Sequence, residues 1–107
     1  MQSAHNPYPN SQGSVTLGTW DYTGAQSVTI TITYQTESAS LDWIYLKSGN
    51  KYIDLNGDVT STATKIGGRT KTTETFTTTA TSGSVIFRTD SSGNNYYGVS
   101  VQVTPNY

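Results

Sequence analysis

The chain contains no cysteine. Disulfide staples, thiol nucleophiles and cysteine metal sites are excluded together. Small extracellular domains of animal origin usually carry disulfides, so their absence points to a bacterial source or to a core that needs no staples. Charge is scarce too. Charged residues are 12% of the chain, about half the usual share. The net charge of −1 gives no basic surface for nucleic acid and no polybasic membrane anchor. His5 is the single histidine. A His-based triad would have to be built on an N-terminal arm, so no catalytic role is expected. No apolar run approaches membrane-spanning length. The opening Met1-Gln-Ser-Ala-His-Asn6 has no apolar segment either, and export is expected to rely on a leader outside this chain.

What fills these gaps is Thr, Ser, Asn, Gly and Tyr. Thr, Tyr, Val and Ile favour strands, and the helix formers Ala, Leu, Glu and Lys are few. At 107 residues the chain is expected to be one domain, 1–107. Residues 1–13, with Pro7 and Pro9 around Tyr8, read as an extended arm. Ser14 to Tyr22 reads as a short strand pair with Val15, Leu17 and Trp20 as core candidates. Ser27 to Thr36 alternates Val28, Ile30, Ile32 and Tyr34 against Thr29, Thr31, Thr33 and Gln35, the pattern of a half-buried strand.

Asp42 to Lys47 is a strand with two apolar faces. Ile44 and Leu46 share one with Asp42, while Trp43 and Tyr45 share the other. Lys51 to Leu55 and Asp58 to Ile66 read as a hairpin across a two-residue Asn56-Gly57 turn. Thr70 to Thr79 is a polar strand pinned by Phe76. The chain closes on a strand pair, Ser84 to Thr89 and Gly98 to Val103, around an acidic loop rich in Ser, Gly and Asn. About eight short strands without helical periodicity predict an all-β fold, an antiparallel β-sandwich or jelly roll.

These landmarks, taken in order, resemble a CUB domain in a cysteine-free, bacterial version. The arm His5-Asn6-Pro7-Tyr8-Pro9-Asn10 is similar to the family's opening. Trp20, Gly24 and the run Val28 to Ile32 follow in family order. Glu37, then Asp42-Trp43-Ile44-Tyr45-Leu46, stand where the family has its acidic pair. Phe87-Arg88-Thr89-Asp90-Ser91-Ser92 and Gly98-Val99 stand at its closing motifs. The chain departs from the family in lacking both disulfides, in Ser48-Gly49 for Asp-Gly and in Gly-Val for the closing Gly-Phe.

The resemblance implies a calcium ion held by Glu37, Asp42 and Asp90, with a backbone oxygen from Ser92. It also implies that Tyr8 hydrogen-bonds a ligand carboxylate and ties down the arm. Calcium takes six to eight oxygens, and three carboxylates gathered without a cation would repel one another. The same acids also fit ordinary loop roles: Asp90 in an Asx turn, Asp42 capping its loop, Glu37 solvated. Asp54-Leu-Asn-Gly-Asp58 lacks the downstream Glu of an EF-hand and reads as a turn.

The functional expectation is a non-catalytic, calcium-binding interaction module of a larger secreted or cell-surface bacterial protein. Its protein or glycan ligand would sit at the calcium-loop end. A second expectation is a carbohydrate-binding module using Trp43, Tyr45, Tyr96 and Tyr97, since exposed aromatics on a sheet stack on sugar rings. A third is a secretion or folding accessory domain of a secreted protease. For Trp43 and Tyr45 the competing reading is core packing, and Ile44 and Leu46 are the favoured inward pair.

Overall fold

A computed structural model describes residues 13–36, 42–89 and 98–107. Eight strands and no helix run through the described residues. They are β1 (Gly13–Asp21), β2 (Ser27–Gln35), β3 (Trp43–Ser48), β4 (Lys51–Ile53), β5 (Val59–Thr60), β6 (Thr72–Thr78), β7 (Ser82–Thr89) and β8 (Gly98–Asn106). They form two antiparallel sheets, one ordered β1-β7-β3-β4-β5 and the other β6-β2-β8. The two sheets pack face to face as a β-sandwich, as the strand-rich composition predicts.

Alternation decides which face goes inside. On β2, Val28, Ile30 and Ile32 are fully buried and Tyr34 nearly so. The intervening threonines point out and meet their counterparts on β6. Thr29 bonds Thr77 at 3.4 Å, Thr31 bonds Thr75 at 3.2 Å and Thr33 bonds Thr73 at 3.0 Å. β-branched side chains suit both faces of such a strand, apolar within and hydroxylated without. The facing sheet contributes Ile44, Leu46, Ile53, Val85 and Phe87, all fully buried. Phe76, Val99 and Val101 complete the core, with Val103 partly buried against it. Trp20 is buried, and its indole N–H donates to the carbonyl of Ala80 at 3.1 Å.

Four local expectations need correction. The stretch expected as a strand pair is the single strand β1, whose register slips between Thr16 and Gly18. One bulge bends it without breaking its pairing to β7. The arm ends earlier than expected, because Gly13 already pairs with Thr89. The last two strands do not pair with each other: β7 lies in the five-stranded sheet and β8 in the three-stranded one.

The hairpin exists, since Ile53 faces Val59, but its turn is longer than two residues. Asp54 is the reason. Its carboxylate accepts from the N–H groups of Asn56 and Asp58, both at 2.9 Å, and its carbonyl accepts from Gly57 N–H at 3.0 Å. This side-chain capture competes with the tight hairpin turn. Gly57 adopts φ +87° and is buried. A Cβ there would overlap the carbonyl oxygen of Thr77 and lie 2.8 Å from its carbonyl carbon. The turn therefore leans across the open side of the sandwich onto β6.

Candidate functional site

Sheet crossing gathers the candidate residues' elements at one end. Gln35, at the close of β2, pairs with Gly98 at the start of β8. Trp43, opening β3, pairs with Arg88 near the close of β7, and Thr89 pairs with Gly13. The chain passes from β2 to β3 through residues 37–41, and from β7 to β8 through residues 90–97. Both passages join one sheet to the other, and both start and finish at this end.

Asp42 stands at its inner edge. It precedes β3 in the alternation of Ile44 and Leu46, and it is fully buried. An acid in such a place needs hydrogen bonds, a counter-charge or a cation to offset its desolvation. Thr36, the last described residue before the 37–41 passage, is fully buried as well. Its N–H donates to the carbonyl of Gly68 at 2.8 Å, and its hydroxyl accepts from Gly68 N–H at 3.0 Å. Gln35 donates from its side-chain amide to the carbonyl of Arg69 at 2.9 Å. The 61–71 connection is thus fastened to this end through Gly68 and Arg69.

Of the expected calcium donors only Asp42 belongs to the described residues. Glu37, Asp90 and Ser92 lie outside them, as do Tyr8, Tyr96 and Tyr97. The described residues alone hold no group of three or more His, Asp or Glu side chains able to bind a metal.

Trp43 and Tyr45 lie on the opposite face of the same strand, half-buried on the outside of the five-stranded sheet. The reading of Ile44 and Leu46 as the core pair holds. Trp43 is not bare. The Lys65 ammonium lies 4.3 Å from its ring centroid and the Arg88 guanidinium carbon 5.1 Å away. Tyr45 meets Tyr52 edge to face, with centroids 5.8 Å apart and planes at 65°.

Sequence reasoning missed Lys65, Arg88 and Tyr52. Arg88 comes beside Trp43 only through the β3–β7 register, which no local pattern reveals. Lys65 had a weak signal, because an inward Ile66 requires its neighbour to point out. Ile66 is buried and exchanges hydrogen bonds with Ile44 at 2.8 and 2.9 Å.

Comparison with protein-family models, curated proteins and solved structures found no match.

Proposed function

We propose that the chain is a non-catalytic interaction module of CUB type, whose binding end is ordered by calcium. Glu37, Asp42 and Asp90 would hold the ion, with a backbone oxygen of Ser92. Calcium would supply a cross-link between two passages distant in sequence, and through it a fixed surface for a protein or glycan partner. The setting is a larger secreted or cell-surface bacterial protein.

One observation carries this reading. The fully buried Asp42 precedes Trp43, which pairs with Arg88 near the close of β7, while Gln35 at the close of β2 pairs with Gly98 at the start of β8. A carboxylate enclosed there would gain from a nearby cation, with Glu37 and Asp90 as the further acidic donors. Tyr8 would hydrogen-bond one of these carboxylates and draw the arm toward the same end.

Thermal unfolding tests the proposal. A ligand bound only by the native state stabilises it by RT ln(1 + [L]/Kd), about 2.7 kcal/mol at a hundredfold excess over Kd. Calcium should raise the melting temperature, EDTA should reverse the rise, and magnesium should do less because it demands a tighter octahedral shell. Asp90→Ala should abolish the response and cost little ion-free stability, since it also removes carboxylate repulsion. A wild-type melt indifferent to both calcium and EDTA sinks the ion site.

A further inference from the structure

The outer face of the five-stranded sheet carries a second organised surface, separate from the buried acid. Three rungs of the sheet define it. Arg88 stands across from Trp43. The antiparallel bridge between Ile44 and Ile66 sets Lys65 across from Tyr45. Lys47 stands across from Tyr52. Residues directly opposite in antiparallel strands share a face, and successive outward positions along β3 are about 6.6–6.8 Å apart. The result is a strip with three aromatic rings along it, two cations at one end and a third at the other.

Charge is the informative part. Lys47, Lys65 and Arg88 are half of the six basic residues in a chain whose net charge is −1. On the same sheet, Asp21 and Asp54 turn their carboxylates onto their own turns. Asp21 accepts from Thr23 N–H at 3.2 Å and from its hydroxyl at 2.6 Å, and Asp54 accepts from Asn56 and Asp58. Lys65 and Arg88 instead hold their heads over an aromatic ring. Cation–π contact fixes a cation's position while leaving N–H donors free to meet an anion. Two such heads on one indole make a preset seat for a carboxylate.

We propose that this face binds an acidic polysaccharide of uronic-acid type. Carboxylates of the polymer meet Arg88 and Lys65, and again Lys47 one ring further along. The sugar faces pack on Tyr45, Tyr52 and the exposed part of Trp43. Aromatic rings offer apolar area for the C–H faces of sugars, and a strip of successive rings and cations suits a chain molecule better than a small ligand. The outward threonines and serines of the neighbouring strands, Thr16 and Ser84, are hydrogen-bonding groups of the kind sugar hydroxyls use. A single-stranded nucleic acid also stacks on aromatics beside cations, but it presents a phosphate at every nucleotide and calls for a continuous basic groove. Three cations split between the ends of the strip match sparser charge. This inference concerns a different face from the ion site and does not depend on calcium.

The test is native affinity electrophoresis of the 107-residue chain in gels containing polygalacturonate, neutral galactomannan or poly(dT). EDTA is present throughout, so that calcium bridging cannot contribute. Retardation is expected in polygalacturonate alone, and it should weaken as salt rises. The double variant Lys65→Gln/Arg88→Gln, at surface positions, should lose about tenfold or more in affinity while keeping its melting temperature. Tyr52→Ala should weaken binding in the same direction. Lack of retardation in polygalacturonate overturns the proposal. So does equal retardation in galactomannan or in poly(dT), and so does undiminished binding by the double variant. Because calcium is absent, failure here leaves the ion site untouched, and failure of the calcium melt leaves this face untouched.

Discussion

Gly57→Ala isolates one close approach between the two sheets. Gly57 sits at φ +87° in the turn that joins β4 to β5. An L-residue in that left-handed region costs about 1–2 kcal/mol. The added methyl group would also strike the Thr77 carbonyl, which belongs to the backbone of β6 and cannot rotate away. Relief requires the turn to lift off the sandwich. Lifting weakens the Gly57 N–H bond to the Asp54 carbonyl and the two N–H bonds to the Asp54 carboxylate. Each such bond contributes about 0.5–1.5 kcal/mol. If all three bonds are lost, these terms together give a loss of about 2.5–6.5 kcal/mol.

Gly24→Ala supplies the control. Gly24 has φ +99°, yet nothing lies within 4 Å of the position its Cβ would take. It shares the conformational cost and lacks the collision. Urea unfolding of both variants reads the difference directly. Gly57→Ala should fall below Gly24→Ala by about 1.5–4.5 kcal/mol at unchanged m-value, the share that belongs to the turn bonds that the collision breaks. If the two variants are equally stable, the turn does not rest on Thr77 and the account of how the sandwich closes on this side is wrong.

Two further outcomes follow from the core. Ile30→Ala removes a fully buried side chain at the centre of β2 and should cost about 2–5 kcal/mol in chemical denaturation; a loss below 1 kcal/mol would contradict its placement. Tyr34 should make the fold sensitive to alkali. Burial pushes its hydroxyl above the ordinary tyrosine value of 10.0, the negative charge of Glu74 pushes it further, and a hydrogen bond with Thr72 partly offsets both. The folded chain therefore keeps this proton when the unfolded chain releases it. The stability from Tyr34 is complete below about pH 10 and falls as pH rises from there through the folded value. Urea midpoints from pH 8 upward should decline less steeply for Tyr34→Phe than for wild type; parallel declines would refute the assignment.

The fold was legible where alternation was strict. β2 interleaves aliphatic and Thr residues so regularly that its inward face could be named residue by residue. β3 was harder, since both faces carry apolar groups. Chemistry still separates them: Ile44 and Leu46 have nothing to offer water, whereas Trp43 and Tyr45 can lie half-exposed with a cation or a second ring beside them. Sheet membership was not legible. β7 and β8 looked like a pair because a polar loop separates two apolar runs, yet residues 90–97 make a long connection for a hairpin, and that length was the available hint. The Asn56-Gly57 signal was genuine but was overruled by Asp54, whose carboxylate reaches two N–H groups and enlarges the turn. The burial of Asp42 had a partial signature: alternation puts it on the face of Ile44 and Leu46, but an acid at the edge of a strand also reads as solvated until the sheets that enclose it are known.

Asp42 and Trp43 are consecutive, and a strand sends consecutive side chains to opposite faces. One therefore enters the closed end of the sandwich while the other joins the outer strip. That single alternation separates the two functional readings physically. The ion reading needs a buried acid joined by acids from two passages, and its readout is stability. The glycan reading needs exposed cations and rings held at fixed register, and its readout is affinity without calcium. The register that holds Arg88 beside Trp43 is backbone pairing between β3 and β7, which the core residues Ile44 and Phe87 secure from within. The outer strip should therefore persist wherever the sandwich does, with or without an ion. The ion reading is tested separately, by the response of the melting temperature to calcium and EDTA.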